Sequence, residues 1–417
     1  MQCEDESLPV AGSHFLRFLT RQKFTMSWKK KISYAAKVLP GAMRRGLAAL
    51  PRGPVHLVIA MADHFEPAID EKRGGENRVS RSEQERRLEW WIGEYPKVAD
   101  RWRDHDGRPL VHSYFYPAEQ YDEGLLQMLA DHCHAGWGEV EVHLHHGIFT
   151  PDTPENTRRG LTEFRDLLAS RHRCLAMEEG SAQARYAFVH GNFALANSAG
   201  GASCGVDSEM KILAETGCYA DFTLPTGHFH AAQTRKMNSL YECGLPLEQA
   251  APHRTGRDLT AGRAPHKLPL IVQGPLLMDW KRSIRRARPV IETGAIAGRS
   301  PMTLERLDLW KRARIHVQGR SDWLFIKLHC HSMDPTQKDA VVGGAFRQFL
   351  EELVTGASDR QETVHFVTVR EMTNIILAAC DGRAGNPGEY RDYRFKRIAD
   401  TSVTPEQWKV APVGVKG

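Results

Sequence analysis

Glu139-Val140-Glu141-Val142-His143-Leu144-His145-His146 alternates as a β-strand does. Successive side chains of a strand point to opposite faces, so Val140, Val142 and Leu144 share one face and Glu139, Glu141, His143 and His145 the other. One apolar face for a helix layer and one polar face for a lumen is the pattern of a strand in a (β/α) barrel. Sites in such barrels lie at the mouth formed by the strand C-termini. His143 and His145 stand nearest that mouth. His146 falls on the opposite parity and becomes a ligand only if the strand has ended before it.

The same parity returns in Phe325-Ile326-Lys327-Leu328-His329-Cys330-His331, where Lys327, His329 and His331 share a face. A third apolar run, 55–62, ends in Asp63, His64 and Glu66. A lone histidine is more often a hydrogen-bonded barrel or loop residue than a ligand. Four inward histidines and an acid at one mouth are costly to bury without a metal or catalytic use. Zinc takes neutral imidazole and carboxylate, and catalytic zinc sites use three protein ligands plus a water. The donors are not clustered carboxylates, which argues against magnesium or calcium.

The rest of the chain supports one large α/β domain. Apolar runs alternate with helix-period segments: strands near 55–62, 111–117, 139–146, 184–191, 220–225, 268–274, 323–331 and 365–369. Between them lie helices at 83–103, opened by a Ser82/Glu85 capping box and kinked or split by Pro96, at 122–135, from Thr153-Pro154, at 207–216 ending on Gly217, at 336–354 and at 370–379. Seven or eight such units over 54–385 favour a closed (β/α) barrel over an open sheet. Insertions are expected at 226–267 and 275–320, with a basic leader at 1–53 and a tail at 386–417.

The chain has 417 residues and a formal net charge of +5. Ten Lys/Arg and three Asp/Glu fall in residues 1–52, so the remaining residues sum to −2. That excludes a basic nucleic-acid-binding body. Residues 26–50 are basic with scattered apolar positions and could lie on an anionic membrane surface, although a solvated surface helix is the simpler reading. Eight scattered cysteines without a CxxC pair indicate neither a zinc ribbon nor a disulfide scaffold. With an acidic start and no apolar run long enough to span a bilayer, the expected location is cytoplasmic or at the inner membrane face.

The order HFEP, EVEVHLHH, YAFVHGN, CYADFTLP and KLHCH resembles the polysaccharide deacetylase (NodB-homology) superfamily, and more narrowly an uncharacterised bacterial branch of it, over about residues 54–380. The resemblance implies a metal-dependent sugar N-deacetylase on a distorted (β/α) barrel. It places Asp63 as general base and His64 as a metal ligand where the family has a second aspartate. His143 matches the first histidine of the family's His-Ser/Thr-x-x-His motif. The second falls on Gly147, which cannot coordinate, so His145, or His146, must substitute. Leu328-His329 matches the late Leu-His motif whose histidine is the general acid, with His331 as an addition. The family's arginine motif is not visible, and His190-Gly191-Asn192 occupies the equivalent strand end.

The expected site is therefore catalytic Asp63, His329 and His331, metal ligands His64, His143 and His145 for a divalent ion, zinc first, and substrate-binding Glu66, His190, Asn192, Arg235 and Asn238. Glu66 is an alternative base. The expected partner is an N-acetylated sugar of a glycan or glycolipid precursor, and no nucleic acid. Two other readings stay open: a glycoside hydrolase using Glu66, Glu141 or Asp221, and a sugar-binding protein with altered chemistry.

Overall fold

The computed structural model describes residues 28–70, 78–181, 183–226 and 230–402. Fourteen strands occur among them: β1 (Val55–His64), β2 (His112–Pro117), β3 (Gly138–Leu144), β4 (Ala176–Glu178), β5 (Ala184–His190), β6 (Cys218–Asp221), β7 (Leu240–Cys243), β8 (Gly256–Asp258), β9 (Leu270–Val272), β10 (Leu277–Met278), β11 (Ile291–Glu292), β12 (Trp323–Cys330), β13 (Glu362–Val367) and β14 (Phe395–Arg397). The main sheet runs β12-β1-β2-β3-β5-β6-β9 with parallel neighbours. β13 also pairs parallel with β1. β7 and β8 extend the far edge antiparallel. The α/β expectation therefore stands as a large, mostly parallel sheet.

Alternation sorts the sheet into two apolar layers. Leu57, Ile59 and Met61 of β1 and Val140, Val142 and Leu144 of β3 pack in one cluster with helices α2 (Arg81–Ala99), α3 (Glu123–His132) and α4 (Pro154–Ser170). Val58, Ala60 and Ala62 pack in the other with Phe115, Val189 and Phe325. Burial of both faces explains why the central strands read as near-continuous apolar runs.

Several boundaries follow the expected chemistry. Thr153 caps α4 by accepting from Asn156 N–H, with Pro154 at the first helical position. Helix α5 (Glu209–Thr216) stops at Gly217, whose φ of 103° favours glycine. Three expectations need correction. The cap of α2 is Ser80, accepting from Glu83 N–H, not Ser82. Pro96 does not split α2, because it lies in the last turn and the helix continues to Ala99. The 336–354 segment is two helices, Lys338–Val342 and Gly344–Thr355, separated at Gly343.

The flanking segments belong to the fold. Of the expected leader, residues 28–46 form helix α1 (Trp28–Gly46), with Val38 and Ala42 buried. The Trp280 indole donates to Met43 O at 3.3 Å, which ties α1 to the 275–320 insertion. Residues 1–27 of the leader and 403–417 of the tail lie outside the described residues. Within the described part of the tail, β14 pairs with β4, and buried Arg391 holds Asp104 at 3.1 Å and Asp106 at 2.9 Å. Among the described residues no helix is long and apolar enough to cross a membrane.

Candidate functional site

The C-terminal ends of β1, β3 and β12 bring five of the expected histidines together. His64 is the hub. Its ring lies 5.0 Å from His143, 4.7 Å from His331 and 6.2 Å from His329, centroid to centroid. His143 and His145 rings are 4.6 Å apart. The carboxylate in their midst is Glu66, two residues beyond β1. Glu66 Oε1 is 3.1 Å from His143 Nε2 and 3.3 Å from His145 Nε2. Potential ligand atoms of His64, Glu66 and His143 all lie within 4.8 Å of one another, and all three residues are buried.

The hydrogen bonds fix the proton on His143. Its Nδ1–H donates to Val189 O at 2.8 Å, leaving the Nε2 lone pair toward Glu66. Burial lowers the His143 pKa, outweighing the Glu66 hydrogen bond, and so favours the neutral ring. Burial would raise the Glu66 pKa, but hydrogen bonds from His143 and His145 hold it well below the usual carboxylate range. With Nδ1–H committed to Val189 O, His143 Nε2 can meet the ionised Glu66 at 3.1 Å only by carrying a second proton, which burial disfavours, or by sharing a cation with it. A bound cation resolves that conflict. Two imidazoles and a glutamate also match the donor set of His₂Glu catalytic zinc sites. Burial, then the neighbouring His331 and His143, put the His64 pKa well below its ordinary value, as a neutral ligand requires.

His145 differs. Its Nδ1 meets Glu119 Oε1 at 2.7 Å, and its backbone N–H meets Glu119 Oε2 at 3.3 Å. Burial opposes its charge, yet the bonds to Glu119 and Glu66 push its pKa up to about 10. Its environment is that of a protonated clamp on Glu66, and it is Glu66 that stands with His64 and His143 in the close group of donor atoms. Burial, followed by Lys327 and His331, drives the His329 pKa well below normal, and its Nδ1 has no partner among the described residues.

Asp63 is the main departure from the sequence expectation. It lies on the opposite face of β1 from His64, completely buried under α2. Its Oδ2 meets His112 Nδ1 at 2.9 Å, and its Oδ1 accepts Ser332 N–H at 3.0 Å. The reason is alternation: β1 continues as a strand to His64, so adjacent residues cannot share a face. Asp63 holds the start of the loop after His331 and does not join the histidine cluster.

The expected sugar contacts also separate. His190 turns to a second cluster with His146, Cys204 and Glu209. Asn192 donates its backbone N–H to His190 Nδ1 at 3.2 Å. Both amide groups of Asn238 are taken by the backbone of Leu276, at 2.9 and 2.7 Å, so this residue pins two loops together. Arg235 is exposed on the surface. Glu119, His112, Cys204 and Glu209 were not anticipated. Glu119 lies two residues beyond the end of β2, as Glu66 does beyond β1, and the strand-end rule applied to β1 and β3 would have found it.

No known family model matches the chain, and no curated protein matches it.

Proposed function

We propose that the chain is a metal-dependent hydrolase that removes the acyl group from an N-acylated sugar of a glycan or glycolipid precursor, and that its sheet is the wall of a distorted (β/α) barrel. The observation that carries this reading is the His64–Glu66–His143 group at the ends of parallel strands, with neutral imidazoles and an ionised glutamate aimed at one point. The KLHCH resemblance adds His329 and His331 at the same mouth.

His64, Glu66 and His143 would hold the ion, zinc first. Such an ion, when bound, polarises an amide carbonyl and makes a water nucleophilic near neutral pH. His145 locks Glu66 from behind, and Glu119 locks His145. With Asp63 turned away, proton transfer passes to His331, half-buried beside His64, and to His329. One imidazole takes the proton of the attacking water, and one gives a proton to the leaving amine. The glycoside hydrolase reading has less support. Glu141 is engaged by Tyr219 Oη–H and Ala187 N–H, and Asp221 by Thr223, all in the buried interior.

The test is metal content of the purified chain together with acetate release from N-acetylated chitooligosaccharide. His143→Ala and Glu66→Gln are expected to lose one ion per chain and at least a hundredfold in acetate release. Unchanged metal content in both variants would sink the assignment, and reducing ends released in place of acetate would favour the glycosidase.

A further inference from the structure

His146 leaves the end of β3 toward the helix layer, away from His143 and His145. Its Nδ1–H faces Asp152 Oδ2 at 2.9 Å, and its Nε2 faces Glu209 Oε1 at 2.8 Å. Glu209 is the first residue of α5. Its Oε1 is 3.7 Å from His190 Nε2, and its Oε2 is 3.7 Å from Cys204 Sγ. Potential ligand atoms of His146, His190, Cys204 and Glu209 lie within 4.8 Å of one another. His146 is 7% exposed and the other three are 0% exposed.

Two features point to a ligand. A ring whose Nδ1–H is held by a carboxylate while its Nε2 faces other donors has the outer support typical of a metal-bound histidine. His190 Nε2, fully buried and directed at Glu209, has no hydrogen-bond partner among the described residues. Buried polar atoms are rarely left so. Two imidazoles, a thiol and a carboxylate suit zinc and do not suit magnesium or calcium.

We propose that His146, His190, Cys204 and Glu209 form a four-coordinate structural zinc site, separate from the His64–Glu66–His143 site. Binding releases the Cys204 thiol proton and the proton between His146 Nε2 and Glu209. His190 joins through Nε2 with its single ring proton moved to Nδ1, so the 3.2 Å contact from Asn192 N–H to Nδ1 must open. The ion fastens the ends of β3 and β5, the turn carrying Cys204 and the start of α5. It thereby fixes His145 through the adjoining residue of the chain.

Cobalt(II) titrated into the metal-stripped full-length chain separates this site from the mouth site, because a thiolate on cobalt gives a near-ultraviolet charge-transfer band and the mouth site has no cysteine; the Cys204→Ser chain separates it from the buried Asp63–His112–Cys330 group. The band is expected to saturate with one ion. Cys204→Ser is expected to abolish it and to lower zinc content by one ion per chain, whereas His143→Ala leaves the band intact. If Cys204→Ser does not fold, zinc-edge X-ray absorption of the His143→Ala chain decides, with one sulfur among four scatterers expected. A wild-type chain without the band, a band that survives Cys204→Ser, or a shell of nitrogen and oxygen alone would overturn the proposal.

Discussion

Glu139 is the second residue of β3, the strand that leads into the histidines, but its own work is at the opposite end of the sheet. Arg370 grips it with both arms, Nε to Oε2 at 2.9 Å and Nη2 to Oε1 at 2.8 Å. The same guanidinium donates to Phe395 O at 2.7 Å and Arg391 O at 3.3 Å. Arg370 is buried and the Glu139 side chain is 12% exposed, so removing the arginine leaves a largely buried charge unpaired, at a cost of up to about 3–5 kcal/mol. Arg370→Ala is therefore expected to lower unfolding free energy by that amount in urea titrations, and Arg370→Met with Glu139→Gln should recover part of it. A loss below about 1 kcal/mol would show that water reaches and solvates Glu139. At this scale the sequence put His64, His143 and His331 at strand ends that do meet, whereas Asp63 turns to the other face, because β1 runs on to His64 and does not end at residue 62.

Among the elements, the join between β3 and α4 decides how the two clusters are kept apart. Gly147, where the resembling family has its second histidine, has φ of +61°. A Cβ there would stand 2.2 Å from Cys204 O. No side chain fits unless the Cys204 turn moves. Gly147→Ala is thus expected to cost about 1–3 kcal/mol from backbone strain and displacement. It should also weaken the cobalt–thiolate band while leaving metal at the mouth. Loss of both ions together would mean that the clusters are not independent. The sequence marked this glycine as unable to coordinate, yet it gave no sign of Cys204 as its neighbour, since the two meet only when β5 has been laid beside β3.

The molecule as a whole should be acid-sensitive. Burial depresses His132 and His253 to about 4 from an ordinary 6.5, and neither belongs to the metal groups. A group with a lowered folded pKa favours the fold in its neutral form. That stability is present above pH 6.5 and is lost as pH falls through 6.5 toward 4. Each histidine contributes up to about 3 kcal/mol on this account. The urea midpoint is expected to fall steadily over that window, and His253→Gln should flatten the slope. A midpoint independent of pH between 6.5 and 4 would show that these rings stay solvated.

Alternation and element order were legible in the sequence because each depends on neighbours in the chain. Period-two patterning placed His143 and His146 on opposite sides of the sheet, and the strand–helix repeat pointed to parallel strands. Tertiary structure decided what those side chains meet. Glu66 became the partner of His143 and His145, Glu119 the partner of His145, and Glu209 with Cys204 the partners of His146 and His190. These pairs come from residues far apart in sequence or from loops without a period. Their meeting depends on strand register and loop path, which only the packed chain fixes.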